Sequence, residues 1–170
     1  QNGRPQTHDF LKEFASSLRA EHPDVILVGE NWTDTEKIAP YFGSTETIRG
    51  GDELPMNFNF PLAEAVVEGL RDGTAFSTRE VLAEMAELYP PGVIDAPFLR
   101  NHDQFRLATE LGVHGGKMRA AAAVLLTLPG VPFLYYGEEV GVQNGGPSRR
   151  DELKRMPMPW RHDQPGGGFT

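Results

Sequence analysis

The sequence contains no cysteine among its 170 residues. That excludes a disulfide framework, thiolate metal sites and a cysteine nucleophile, and it leaves the cellular compartment open. Long hydrophobic runs are also missing. The longest, Ala120 to Leu128, falls well short of the ~20 residues that span a bilayer, so no membrane partner is expected. Positive charge is in the minority: 16 Lys and Arg against 24 Asp and Glu give a net charge of −8. Nucleic acid and anionic membranes call for the opposite balance. There is no glycine-rich GxGxxG turn, no phosphate-loop motif and no HxxxH pair, and His8, His22, His114 and His162 show no metal spacing. Neither a cofactor nor a metal site is expected.

A starting Met, a basic n-region and an apolar h-region are absent too, and the chain closes on Gly166-Gly167-Gly168-Phe169-Thr170 without a capped final element. These features read as marks of a piece of a longer chain. Secreted, periplasmic and cytoplasmic parents all stay open.

What is present is ordinary globular material, 39% hydrophobic and 24% charged, enough to bury a real core. The 19 glycines and 14 prolines point to many loops. A helix is expected from Thr7 as N-cap, with Phe10, Leu11, Phe14, Ala15 and Leu18 on one face and Pro23 as its stop. Val25-Ile26-Leu27-Val28 reads as a strand buried on both faces. Met56 to Phe60 alternates like a strand with a polar and an apolar side. Pro61 then takes the first position of a helix that Asp72-Gly73 ends. Ser77 and Glu80 match a capping box for a helix running to Pro90-Pro91. Phe98-Leu99 reads as a short strand, Lys117 to Leu128 as a helix buried nearly all round, and Val131 to Tyr136 as the last strand.

The candidate strands begin near residues 25, 56, 96 and 131, each pair separated by at least one helical pattern. Such alternation means βαβ units and a parallel sheet. An eight-fold barrel uses about 250 residues, so four units fit half a barrel, with a small doubly wound sheet as the competing architecture. From about Val142 onward the chain is loop-rich and proline-punctuated.

In parallel α/β folds, function gathers at the C-terminal ends of strands. Those ends carry Gly29-Glu30-Asn31-Trp32, Asn101-His102-Asp103 and Gly137-Glu138-Glu139. Two carboxyl groups flanking a cleft suit glycoside hydrolysis: one protonates the leaving oxygen and the other stays ionised facing oxocarbenium charge. The acid works best with a raised pKa, which an apolar neighbour such as Trp32 would promote. Trp32 and Tyr135-Tyr136 offer flat surfaces for sugar rings. Each residue also has a plainer reading: Glu30 as a solvated loop acid, His102 and Asp103 as a hydrogen-bonded pair, and the aromatics as wall packing. For Glu138-Glu139 the plainer reading, carboxylates at a helix N-terminus, is favoured. Arg149 to Arg155 reads as a solvated, self-paired charged face.

Taken together, these segments resemble the α-amylase family of glycoside hydrolases. Val25 to Trp32 looks like that family's fifth-strand segment, with the catalytic acid/base, and Phe98 to Gln104 its seventh-strand segment. Leu128 to Gly141 is similar to the eighth-strand segment, and Arg155-Met156-Pro157-Met158-Pro159-Trp160 fits the stretch after it. The resemblance covers nearly the whole chain. It implies the C-terminal half of a (β/α)8 TIM barrel, strands 5 to 8, in which residues 1–170 are a partial catalytic barrel and 142–170 a loop-rich segment after the last strand.

The resemblance further implies a retaining enzyme acting on α-linked glucan or oligosaccharide. Glu30 would be acid and then base, Asp103 the transition-state stabiliser, and His102, Asn101 and Trp32 substrate contacts. The family's nucleophile, an Asp after the fourth strand, and most of its calcium site would lie upstream of Gln1. The chain alone is then expected to be inactive and metal-free, and to self-associate through its open sheet edges. The absence of Arg and Lys between Val131 and Tyr136 argues against the chloride site of some members. Two rivals remain: a non-catalytic barrel relative serving as a binding subunit, and a transglycosylating or sucrose-acting member of the same family.

Overall fold

The computed structural model describes residues 3–113, 115–161 and 163–168; His114 and His162 lie outside these. Helix α1 spans Pro5–Glu21. It starts before Thr7 because Pro5 needs no hydrogen-bond partner for its nitrogen and has its φ preset for the first turn. Arg4 takes the N-cap position without a side-chain cap. Of the expected apolar stripe only Ala15 is buried, and Phe10 and Phe14 stack on each other at the surface. Polar contacts tie the helix down instead: Arg19 donates to the Gly51 carbonyl and His8 Nδ1 lies 2.8 Å from Glu53 Oε2.

Strand β1 is confined to Val28–Gly29 and pairs in parallel with β2, Met56–Asn57. Isolated parallel bridges, Phe58 to Ala96 and Phe98 to Phe133, continue the sheet. Four parallel segments therefore lie side by side in chain order, as the alternation predicts. They are shorter than expected. Ile26 is 69% exposed, because β1 has a described neighbour on one edge only. The sixfold run Val131 to Tyr136 contributes a single bridge at Phe133.

Between β1 and β2 runs a short helix α2, Thr35–Ile38, capped by Asp34 and followed by a 3-10 turn, Ala39–Phe42. Helix α3, Phe60–Asp72, is capped by Asn59, whose side chain accepts from the Leu62 amide, so Pro61 is the second helical residue rather than the first. Gly73 closes it in the left-handed region, φ 74°, where glycine carries no steric penalty. Helix α4, Phe76–Leu88, begins ahead of the expected Ser77 cap. The Thr74 hydroxyl accepts from the Phe76 amide and Thr78 donates across to the Ala65 carbonyl, which winds the helix two residues earlier and docks it on α3. Helices α5, Leu107–Leu111, α6, Gly116–Thr127, and α7, Asp151–Lys154, complete the set.

The main core gathers Leu62, Val66 and Val67 of α3, Met85 of α4, Leu99, Leu107 and Leu111, and Ala121 and Leu125 of α6. Helix α6 is buried on this one face only, with Leu126 exposed; its apolar far side has no described element against it. A second cluster of Phe60, Ala63 and Phe98 with Phe58 and Phe133 lines the sheet beneath the site. The expected polar side of β2 is not solvated either. Asn57 and Asn59 are fully buried and satisfied, Asn57 by Asn31 and the Leu54 carbonyl, Asn59 by the helix cap and Asp95. Among the described residues no helix is long and apolar enough to cross a membrane.

Candidate active site

The loops leaving β1 and the Ala96–Phe98 segment meet at one end of the sheet. A cleft of ≈ 230 Å³ there is lined by Glu30, Asn101 and His102 over an apolar floor of Phe58, Phe98 and Phe133. Gly29 is needed just before Glu30: a Cβ there would collide with Leu54 and with Asn57 and Asn31, whose side chains bond each other at 2.8 Å. That pair holds the start of the Glu30 loop against β2, and Glu30 itself is exposed to the cleft.

Trp32 and Asp103 line an adjoining recess with Glu64, Gln104 and Glu110. Trp32 stacks on Phe60, ring centroids 4.6 Å apart. The apolar wall beside Glu30 is therefore made by Phe58, Phe98 and Phe133, not by the expected Trp32. Arg100 borders both recesses. It is 3% exposed, pairs with Glu110 at 3.0 and 2.8 Å, and also reaches Glu64 and the Leu99 carbonyl. Asn101 turns its side chain inward to accept from the Asp103 amide at 3.0 Å, so it shapes the loop as well as lining the cleft. His102 Nε2 sits 3.5 Å from Asp103 Oδ2.

Behind this loop, Arg106 is 1% exposed. Its guanidinium donates to the carbonyls of Lys154, Tyr136 and Met156 at 2.7, 2.7 and 3.3 Å and lies over the rings of Tyr135 and Tyr136. Both tyrosines thus pack on a buried cation; Tyr135 also lines the cleft, whereas Tyr136 does not. Glu138 opens a 3-10 turn, Glu138–Val140, as the favoured reading of the Glu138-Glu139 pair has it. Burial, only partly offset by the Tyr135 backbone, pushes its carboxyl up to about 7. The charged stretch is self-paired in part, Lys154 and Arg155 both to Asp151, yet it is not simply solvated: Lys154 is buried and Arg155 bonds Asp103.

Arg100 and Arg106 escape sequence reasoning. The one pointer to Arg100 is its position at the end of the apolar run Ala96 to Leu99, where a charge must find a partner. Among the described residues no three His, Asp or Glu side chains come together as a set that would hold a metal ion.

A model of the alpha amylase catalytic domain matches residues 1–170. Alpha-amylase 3 of Dictyoglomus thermophilum is 41% identical over 157 residues, covering 91% of this chain and 29% of its own length. The trehalose synthase/amylase TreS of Mycolicibacterium smegmatis is 30% identical over 194 residues, covering 96% of this chain and 32% of its own. Among solved structures, the alpha-amylase from H. orenii superposes with a TM-score of 0.76 at 37% identity, over 88% of this chain and 29% of that one. The chain thus spans under a third of the length of the relatives it matches.

Proposed function

The chain belongs to the alpha-amylase family of glycoside hydrolases, and from that premise we propose that it forms strands 5 to 8 of the family's (β/α)8 barrel in a retaining enzyme that cleaves α-glucosidic bonds of glucan or maltooligosaccharide. The observation that carries this reading is the shared cleft: Glu30 from the first strand end and His102 from the third face the same apolar-floored cavity. Glu30 donates its proton to the glycosidic oxygen as the C1–O bond breaks. A carboxylate from the part of the barrel outside residues 1–170 takes C1 as a covalent ester. Glu30, now ionised, removes a proton from water as the water attacks C1, and the anomeric configuration is retained. Asp103 faces the positive charge that spreads over C1 and the ring oxygen, His102 holds sugar hydroxyls, Asn101 sets the loop and Trp32 offers a partly exposed ring at the rim. The 170 residues by themselves, lacking the nucleophile, are inactive.

In the full-length protein, Glu30→Gln should lower kcat on soluble starch by about 10²–10⁴-fold with an unchanged circular dichroism spectrum and melting temperature. Near-normal turnover in that variant overturns the assignment. The likeness to a trehalose synthase favours a second reading, in which the released glucosyl group is passed to another sugar instead of water. Chromatography of the products from maltose separates glucose from a rearranged disaccharide.

A further inference from the structure

We propose that Arg155, carried on a clasp formed by residues 154–156, is a positioning residue that fixes the Asp103 carboxylate for the reaction. The inference rests on the reading of Asp103 given above.

The clasp begins with Arg106. Its buried fork holds the carbonyls of Lys154 and Met156 on one side and of Tyr136 on the other. The Tyr136 hydroxyl adds a 2.7 Å bond to the Met156 carbonyl. Residues 154–156 are thereby locked at backbone level to the segment that follows Phe133 and to the turn that follows Asp103. From this fixed backbone two side chains return to the Asp103 loop. Lys154 Nζ donates to the Asp103 carbonyl at 2.9 Å and is itself held by Asp151 at 2.9 Å. Arg155 donates to Asp103 Oδ1 at 2.9 Å and to the His102 carbonyl at 3.3 Å, and forms an ion pair with Asp151 Oδ2 at 3.0 Å.

Asp103 is consequently gripped at three points: its amide by Asn101, its carbonyl by Lys154 and one carboxylate oxygen by Arg155. The other oxygen faces His102, and the side chain keeps 41% of its exposure. The grip orients the carboxylate without covering it. An ion pair this exposed contributes little to stability. What distinguishes it from an ordinary surface pair is the backbone on either side of Arg155, tied down at the Lys154 and Met156 carbonyls, since an untethered arginine would orient nothing. A catalytic carboxylate misplaced by about 1 Å can cost on the order of 10² in rate.

The test uses the full-length protein and a nitrophenyl maltooligoside, which reports on weak variants. Arg155→Ala should lower kcat about 10- to 100-fold, move KM by no more than about twofold and leave the melting temperature in place. Arg155→Lys, which keeps the charge but not the fork, should recover part of the loss. In an Asp103→Asn background, Arg155→Ala should cost nothing further, because it acts through the carboxylate already removed. Wild-type kcat in Arg155→Ala overturns the inference. So does a loss that persists in full in the Asp103→Asn background, or one that appears as an equal drop in melting temperature in both Arg155 variants. Wild-type turnover in Asp103→Asn instead overturns the reading of Asp103 itself, so the two failures are told apart.

Discussion

Two layers of charge sit within a few residues of each other and are treated in opposite ways. At the cleft and the recess beside it, Glu30, His102 and Asp103 are exposed; even Asp103, held at its amide, carbonyl and one carboxylate oxygen, keeps its side chain open to solvent. Directly behind them, Arg100 and Arg106 are buried, and nearly every guanidinium nitrogen is bonded to a carbonyl or carboxylate. The front layer keeps its polar atoms available. The rear layer spends its own on backbone and on Glu110. The difference teaches how a loop-built site acquires rigidity: loops have little apolar area to bury, so a buried cation that binds three carbonyls from two segments replaces a hydrophobic core.

The strongest way to break this contrast is to remove a rear-layer cation. Arg106→Met should destabilise the protein by roughly 3–5 kcal/mol, because three carbonyls lose a charged donor in a dry site. Urea denaturation should show the midpoint falling with little change in slope. A midpoint within experimental scatter of wild type would mean that the rear layer is decoration.

A second test concerns Asp95, buried on the helix side of the sheet. Asn59 donates to one of its oxygens at 3.0 Å and the other has no partner. Burial lifts its carboxyl to about 6, the Asn59 bond opposing that shift. An acid that holds its proton more tightly folded than unfolded stabilises most at low pH, and that stability is lost as pH rises from about 4 through about 6. The expected loss is about 2–3 kcal/mol. Asp95→Asn should flatten this slope in melts from pH 4 to 7; an unaltered slope would assign the titration elsewhere. Glu138, lifted to about 7 by the same cause, extends the slope upward and survives in that variant.

The smallest effect sharpens the comparison at the front. Gly29→Ala should cost roughly 1–3 kcal/mol, since the added methyl displaces the Asn31–Asn57 pair. Its sharper consequence is a lower kcat through the adjacent Glu30, read by comparing turnover with thermal stability. Equal stability and turnover to wild type would show that the front loop tolerates adjustment.

Part of the candidate site was legible in the sequence. Glu30, Asn101 and His102 follow short apolar segments, and the strand-end rule places them at one mouth, where the cleft lies. Helices were legible in their cores and not at their starts. Thr7 and Ser77 are good caps by chemistry, but Pro5 and Thr74 start their helices earlier, because a cap is chosen by the path of the incoming chain as well as by residue type. The stripe of α1 misled for a related reason: periodicity reports which face is apolar, not whether anything lies against it. The buried arginines left almost no trace, since an arginine in a loop reads as solvated until distant carbonyls are shown to surround it.

The sequence by itself determined the alternation of short apolar segments with helices, the parallel order of those segments and the residues at their ends, because these depend on local pattern and on the handedness of connections. Tertiary structure alone decided how Asp103 is held. Its amide, carbonyl and carboxylate are met by Asn101, Lys154 and Arg155, and two of these come from some fifty residues downstream. No local rule brings them there; the fork of Arg106, closing on three carbonyls at once, does.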